Sequence, residues 1–539
     1  MKKMFIVTIM MNSSFFVFGM HFYEKIEHAI ESFEEKIKED ADIVDKLWHA
    51  HSKDFSLFEN GYEEEVAAVK YERCISDEEY RFFCKRQRRV KHACEKMFGH
   101  DLHENQVPVI AIVGSGGGMR AMQNTASSVC AAKKIGLLNM VTYITALSGS
   151  TWFLGPWMSM WLSKGHSLSE FKSYLSECIS KPFLQVSHEE KVLMLEALAA
   201  RKHADKYFTL AQPYGALLAN RLLVGVDRSR HALHVSSQRY AVQDGRLPLP
   251  IYTAIDGREE CEEDPHWYEF TPYDATNISQ GTAIPMWSWG SSFKDGTSCD
   301  KNSEETLGDV MAMCGSAFAA DVRTIYKELA HSLGHSSHEV EKILKPVELK
   351  RPLPFWAKVS NYMAGLEHGN HKSKKLVDAG LSFNLPLPPV LGANGRYADI
   401  IIILDSSAGE VGGELRKAEE YAKQHNLLFP MINYTDIDKK TVSIFTDESN
   451  VSVPVIVYMP SISDAGLWDQ FKDTPTFRHY KLDGFDMHKE TQEGFCQTQH
   501  FSYTPEHSRL VMNNAAFNMR ANKEIVLGVV RDWIQKRRA

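Results

Sequence analysis

No Cys-x-x-Cys pair occurs among the nine cysteines of this 539-residue chain, which removes the usual signature of a zinc or dithiol redox centre. The cysteines (Cys74, Cys84, Cys94, Cys130, Cys178, Cys261, Cys299, Cys314 and Cys496) are scattered, and their odd number leaves at least one without an internal partner. Cys130 and Cys314 have apolar neighbours and read as buried thiols. Positive charge is not in excess: the net charge is −8, so no overall basic field draws nucleic acid. No apolar run is long and unbroken enough to span a bilayer. Metal motifs of the H-E-x-x-H kind are missing too. His331, His335 and His338 have helical spacing, but Gly334 and two serines interrupt them, so metal ligation is the minor reading. What remains is globular, with 44% hydrophobic and 24% charged residues, and by length it makes about two to four structural units.

The stretch that organises the rest is Val141 to Leu154, VTYITALSGSTWFL. It begins as a β-branched strand, turns at Leu147-Ser148-Gly149-Ser150, and continues as an aromatic-rich helix. This is the outline of a nucleophile elbow with Ser148 at its apex. The free N–H groups of the helix start, and the positive end of its dipole, point at the serine. Strict G-x-S-x-G is missing, since Ala146 and Ser150 take the glycine places. A plain Ser-Gly loop between core elements accounts for this stretch equally well.

A second stretch shifts that balance. Val107 to Val113, VPVIAIV, reads as a buried strand and runs into Gly114-Ser115-Gly116-Gly117-Gly118-Met119-Arg120. Glycines admit a ligand close to the backbone, and N–H groups at a helix start form an anion site. Beside an attacking serine, that site is an oxyanion hole, with the N–H groups of Gly117 and Gly118 as donors. Arg120 sits about one turn into the helix, where its guanidinium can grip a phosphate bidentately. A dinucleotide fingerprint fails because Met119 replaces its last glycine, and no lysine completes a Walker loop.

The third stretch is LVDAGLSFNLP, Leu376 to Pro386. Asp378 there can take the proton from Ser148 directly; alone, the segment reads as an Asx-type turn. Together GSGGGMRAM, ALSGSTW and VDAGLSFNLP, in that order, resemble the catalytic domain of the cytosolic (group IV) phospholipase A2 family, a relative of patatin. Weaker similarity appears in LPIYTAI, WYEFTPY, DIIIILDSSAG, VIVYMP and the final FNMRAN helix. The resemblance covers roughly residues 75–538; its one departure is Ala146, where the family has glycine.

The resemblance implies an α/β fold, a central mixed sheet covered by helices, with a cap or lid inserted at about 279–373. It implies a serine acyl hydrolase acting on glycerophospholipids or lysophospholipids at a membrane or micelle surface. Ser148 and Asp378 would form the catalytic dyad, Gly117 and Gly118 the oxyanion hole, and Arg120 the phosphate contact. The continuous apolar strands Val107–Val113, Val141–Ala146 and Ile400–Leu404 independently fit a sheet buried on both faces. Acyl transfer to another acceptor, a Ser-His-Asp esterase using Asp405 with His488, His500 or His507, and an inactive lipid-binding relative are the alternatives.

Residues 1–19, MKKMFIVTIMMNSSFFVFG, have the outline of a secretory signal peptide, although Asn12, Ser13 and Ser14 break its apolar core. Export is therefore expected, with a cytoplasmic, membrane-associated protein as the alternative. Residues 20–100 are charged and helical in rhythm, ahead of a catalytic domain over 101–539. They leave no room for the family's C2 domain, so no cofactor, and no calcium-driven docking, is expected. Lys85 to Lys91, KRQRRVK, reads as a solvated helix face, with attraction to anionic headgroups as its alternative. Trp157 and Trp161 share a helix face, which packing against a sheet explains. Oligomeric state is not legible.

Overall fold

The computed structural model describes residues 62, 65–71, 75–164, 167–181, 186–204, 206–209, 211–224, 230–257, 264–300, 304–316, 356–366, 371–498 and 500–537. The signal segment 1–19, all of 20–61, the three histidines His331, His335 and His338, and the Trp161 side chain lie outside these residues.

Among the described residues the strands are β1 (Ile110–Gly114), β2 (Val141–Ala146), β3 (Leu249–Asp256), β4 (Trp267–Phe270), β5 (Asp274–Asn277) and β6 (Thr282–Pro285). A small hairpin follows, β7 (Phe293–Lys294) and β8 (Thr297–Ser298), then β9 (Ala357–Ser360), β10 (Ser373–Asp378), β11 (Ile400–Asp405), β12 (Ser443–Phe445) and β13 (Val455–Pro460). All but β7 and β8 join one 11-stranded sheet, in the order β12-β13-β11-β1-β2-β3-β4-β5-β6, with β10 on β3 and β9 on β10. From β13 through β3 the neighbours are parallel; the outer pairs are antiparallel. The expected mixed sheet is therefore present. Its central strands β1, β2 and β11 are buried throughout, as their unbroken apolar runs require when helices cover both faces.

The helices that matter for the site are α1 (Asp77–Phe98), α2 (Gly118–Lys134), α3 (Gly149–Lys164), α4 (Ala211–Leu222), α5 (Leu307–Cys314) and α6 (Pro505–Ala521). α1 starts at an N-cap, Ser76, whose hydroxyl accepts the Glu79 N–H, carries Asp77, Glu78 and Glu79 in its first turn, and stops at Gly99 in the left-handed region. Its Glu79 is fully buried on Arg396 of the main body (2.5 and 2.6 Å), which also grips Glu269 on β4 at 2.6 Å. Removing one member would strand a buried charge at a cost of about 3–5 kcal/mol. α1, on the N-terminal side of the boundary expected at residue 100, is thus tied to the sheet by a buried ion pair. Of the stretch 279–373, the described flanks are also built in: β6 and β9 belong to the sheet and α5 packs on α4. Residues 301–303, 317–355 and 367–370 of the expected cap lie outside the described residues.

One feature of β3 sets up the site. Its residues Tyr252 to Ile255 face β4 along one edge. Along the other edge lie β2, up to Ala146 opposite Tyr252, and then β10, from Asp378 opposite Ala254. β2 and β10 therefore enter one lane from opposite ends. Their last residues, Ala146 and Asp378, are two register positions apart, about 7 Å along β3.

Candidate active site

Ser148 follows β2 by two residues and has φ 47°, the left-handed region. For a residue with a side chain this costs on the order of 1–2 kcal/mol, so the surroundings must impose it. They do so through hydrogen bonds and crowding. The Ser148 N–H donates to the Cys314 carbonyl (2.9 Å), and the Ser148 carbonyl accepts from Thr151 N–H (2.9 Å) and Thr151 Oγ1 (2.6 Å). A Cβ on Gly149 would lie 1.9 Å from the Gly118 carbonyl oxygen, and one on Gly116 2.9 Å from Ser148 Cβ. The elbow and the glycine loop are thus pressed together, and the N-termini of α2 and α3 meet beside the serine. Ser150 is no defect of the pattern: its hydroxyl donates to the Ser115 carbonyl at 2.6 Å and lies 2.8 Å from Thr125 Oγ1. Ala146 is accommodated, fully buried.

Ser148 Oγ is buried and has no hydrogen-bond partner among the described residues. That is a costly state for a hydroxyl unless a substrate or reaction uses it. Asp378 is fully buried at the end of β10. Its Oδ1 accepts the Gly380 N–H at 2.8 Å, the Asx-type turn read from the sequence, and its own N–H donates to Ser316 Oγ at 3.1 Å. The turn fixes the carboxylate where β10 faces β2. Tyr214 on α4 and Cys314 on α5 both have pKa values raised well above the ordinary range, first by burial and then by the nearby Asp378 charge. Tyr214, Cys314 and Ser316 are site neighbours that sequence reading missed, since each sits in an ordinary apolar or small-residue context with no motif around it.

The glycine loop is held at both shoulders: Ser115 N–H donates to Leu404 (3.1 Å) and Gly116 N–H to Asn384 (3.3 Å). Gly117, at φ 133°, caps α2, and Gly118 is the first residue of that helix. Their N–H groups carry no hydrogen bond among the described residues, as expected at a helix start. Arg120 is buried in the next turn. Its Nε and Nη2 donate to the Ser406 carbonyl (2.9 and 2.7 Å), Nη1 to the Cys496 carbonyl (2.5 Å), and Nη2 also to Thr498 Oγ1 (3.3 Å). Burial lowers its pKa from the ordinary guanidinium value. All three nitrogens are therefore engaged with the protein, which competes with the phosphate contact expected for this residue.

No residue of the alternative triad hydrogen-bonds the Ser148 hydroxyl. His488 and His500 are exposed, His507 stacks flat on Phe495 at 3.8 Å, and Asp405 accepts from the Tyr458 hydroxyl at 2.7 Å. No described histidine reaches Ser148 Oγ. Trp152 and Trp157 are buried, Trp157 stacked on Phe153, which fits the packing reading of that helix. Among the described residues no group of three or more His, Cys, Asp or Glu side chains is placed to hold a metal ion.

Comparison with known proteins agrees with this architecture. Residues 110–409, more than half of the chain, match the lysophospholipase catalytic domain family. Mouse cytosolic phospholipase A2 delta is 25% identical over 72% of this chain and 54% of its own length. Mouse cytosolic phospholipase A2 zeta is 24% identical over 86% and 62%, and human cytosolic phospholipase A2 epsilon 23% over 81% and 57%. The chain thus spans between 54% and 62% of these relatives' lengths. The solved structure of human GIVD cytosolic phospholipase A2 shares its fold, with a TM-score of 0.72 at 21% identity, covering 88% of this chain and 69% of that one. The chain belongs to the lysophospholipase catalytic domain family, in the form found in the group IV cytosolic phospholipases A2.

Proposed function

We propose that this protein hydrolyses fatty-acyl esters of glycerophospholipids or lysophospholipids through an acyl-serine. The observation that carries the reading is Ser148, a serine forced to φ 47° with a buried, unpartnered hydroxyl, at the end of the lane that Asp378 enters from the other side. Ser148 Oγ attacks the ester carbonyl while its proton passes to the Asp378 carboxylate. The N–H groups of Gly117 and Gly118, backed by two helix N-termini, receive the oxyanion; one such donor contributes about 2.7–4 kcal/mol. The alcohol leaves with the proton from Asp378, and water then releases the fatty acid. Arg120 acts in this scheme as a brace that ties the glycine loop to Ser406 and Cys496, because those carbonyls already occupy its nitrogens.

The curated relatives and the human GIVD structures carry the name phospholipase A2, and one of those structures is described in complex with methyl gamma-linolenyl fluorophosphonate. Their description as cytosolic favours the cytoplasmic location over export. A fluorophosphonate probe tests the core of the reading. It should label the native chain and not Ser148→Ala; a folded native chain that resists labelling would leave an inactive lipid binder.

A further inference from the structure

The basic run of α1 has no part in the chemistry above. In the folded chain it is half of a groove of about 600 Å³, lined by Lys85, Arg88, Arg89, His92, Lys96 and Arg246. Positions 85, 89, 92 and 96 are four, three and four apart, so they form one stripe along the helix, with Arg88 on its flank. Arg246 faces them from the loop before β3. The single carboxylate of the lining, Asp244, pairs with Arg246 at 3.7 Å. Lys85 and Arg89 donate only to the Gln243 and Asp244 carbonyls (3.1 and 2.9 Å). The side chains of Arg88, His92 and Lys96 make no hydrogen bond or ion pair to any described residue. This density of positive charge stands against a chain whose net charge is −8.

Beneath the groove lies a further cation. Arg86 is buried, and its acceptors are all carbonyls: those of Val141, Leu138, Asn139, Gly245 and Arg246. No described carboxylate neutralises it. Burial, then the charge of Arg89, pulls its pKa down to about 9. An anion held above it would relieve that repulsion. A guanidinium-lined recess with unsatisfied donors suits phosphate oxygens, which accept several charge-assisted bonds at once.

The groove's place in the fold bears on where such an anion comes from. Arg86 grips the carbonyl of Val141, the first residue of β2, whereas Ser148 lies beyond its last. The six residues of β2 span roughly 20 Å, so the groove and the ester site are at opposite ends of the sheet. A lipid surface presented to Ser148 is then behind the groove. We infer that the α1 groove binds a soluble anion bearing several phosphate groups, at a site separate from the ester site. The choice of a soluble over a lipid-borne anion rests on the proposed function.

The test is calorimetric titration of the full chain with sodium tripolyphosphate, beside the charge-reversal variant Arg88→Glu/Lys96→Glu. Both positions are exposed. The expected result is saturable binding that raises the melting temperature of the native chain and weakens about tenfold or more in the variant, with strong salt dependence. The unliganded variant should melt with the native chain and react equally fast with a fluorophosphonate. Absence of tripolyphosphate binding, or equal binding by both chains, overturns the site. Sedimentation with phosphatidylcholine vesicles, with and without a phosphoinositide, separates the sources. Phosphoinositide-dependent vesicle binding that the variant loses would assign the groove to a lipid headgroup and overturn the soluble ligand. Tripolyphosphate binding without labelling at Ser148 would fail the proposed function and leave the groove standing.

Discussion

Ser148 donates its backbone N–H to Cys314 at 2.9 Å, and two residues further along the same stretch Ser316 Oγ accepts the N–H of Asp378 at 3.1 Å. The proposed nucleophile and the proposed base thus hang on one three-residue segment at the end of α5. That helix is placed by a close crossing with α4, where a Cβ on Gly308 would lie 2.7 Å from the Gly215 carbonyl oxygen. The geometry of this proposed catalytic pair depends on helix packing as much as on the sheet.

Ser148→Ala and Asp378→Asn should each lower ester hydrolysis by about 10⁴-fold or more while melting close to the native chain. His488, His500 and His507, replaced one at a time by alanine, should each retain most activity, since none hydrogen-bonds the Ser148 hydroxyl. A loss of similar size at any of these histidines, in a folded variant, would move the protein to the Ser-His-Asp class.

Arg120→Lys should reduce kcat/KM on a phospholipid and on a short nitrophenyl ester by similar factors, together with the melting temperature. An ammonium cannot reproduce three nitrogens bonded to Ser406, Cys496 and Thr498. If instead the phospholipid activity alone collapses and stability holds, the residue grips the headgroup phosphate and the brace reading fails.

Gly149→Ala should destabilise the chain by about 1–3 kcal/mol through overpacking against the Gly118 carbonyl, and should slow fluorophosphonate labelling. Ala146→Gly, one turn of the elbow away, should leave labelling nearly intact, because Ala146 fits its site. Thermal melts and labelling rates on both variants check the contrast; a harmless Gly149→Ala would show that the two helix starts are not in contact.

The proposed acyl transfer through Ser148 and Asp378 would draw on groups of the chain alone. Hydrolysis of micellar lysophospholipid is therefore expected to persist in EDTA. Activity that disappears with the chelator and returns with calcium would reveal a metal-dependent step.

Glu304 supplies a pH test away from the reaction. Its side chain is fully buried, with Oε1 accepting the Ser236 N–H at 3.0 Å, and burial pushes its pKa from 4.5 to about 8. The folded state keeps a proton that the unfolded state releases near the lower value. This contribution to stability is complete below about pH 4.5 and is lost as the pH rises through about 8. Glu304→Gln keeps the acceptor, so its melting temperature should gain on the native chain progressively between about pH 5 and pH 9. A difference that does not change with pH would mean Glu304 is ionised in the fold.

The amino-acid sequence by itself determined the pieces whose signal is local. The elbow shows as a β-branched strand ending in small residues around a serine, the glycine loop as a strand running into a helix start, and Asp378 as an Asx-type turn. Each is a constraint of a few consecutive backbone units, and so is legible in a few letters. The buried parallel strands are legible for the same reason, as unbroken apolar runs. Only the tertiary structure decided that β2 and β10 share one edge of β3, which brings Ser148 and Asp378 to the same gap across 230 residues of chain. It also decided that Cys314 and Ser316 hold both, and that Arg120 is tied to carbonyls 286 and 376 residues away. The docking of α1 into the catalytic unit, through Glu79 and Arg396, 317 residues apart, was settled there as well. Such pairings are chosen by the burial of whole faces and by the need to satisfy buried polar groups at a distance, and neither leaves a pattern in any single stretch of sequence.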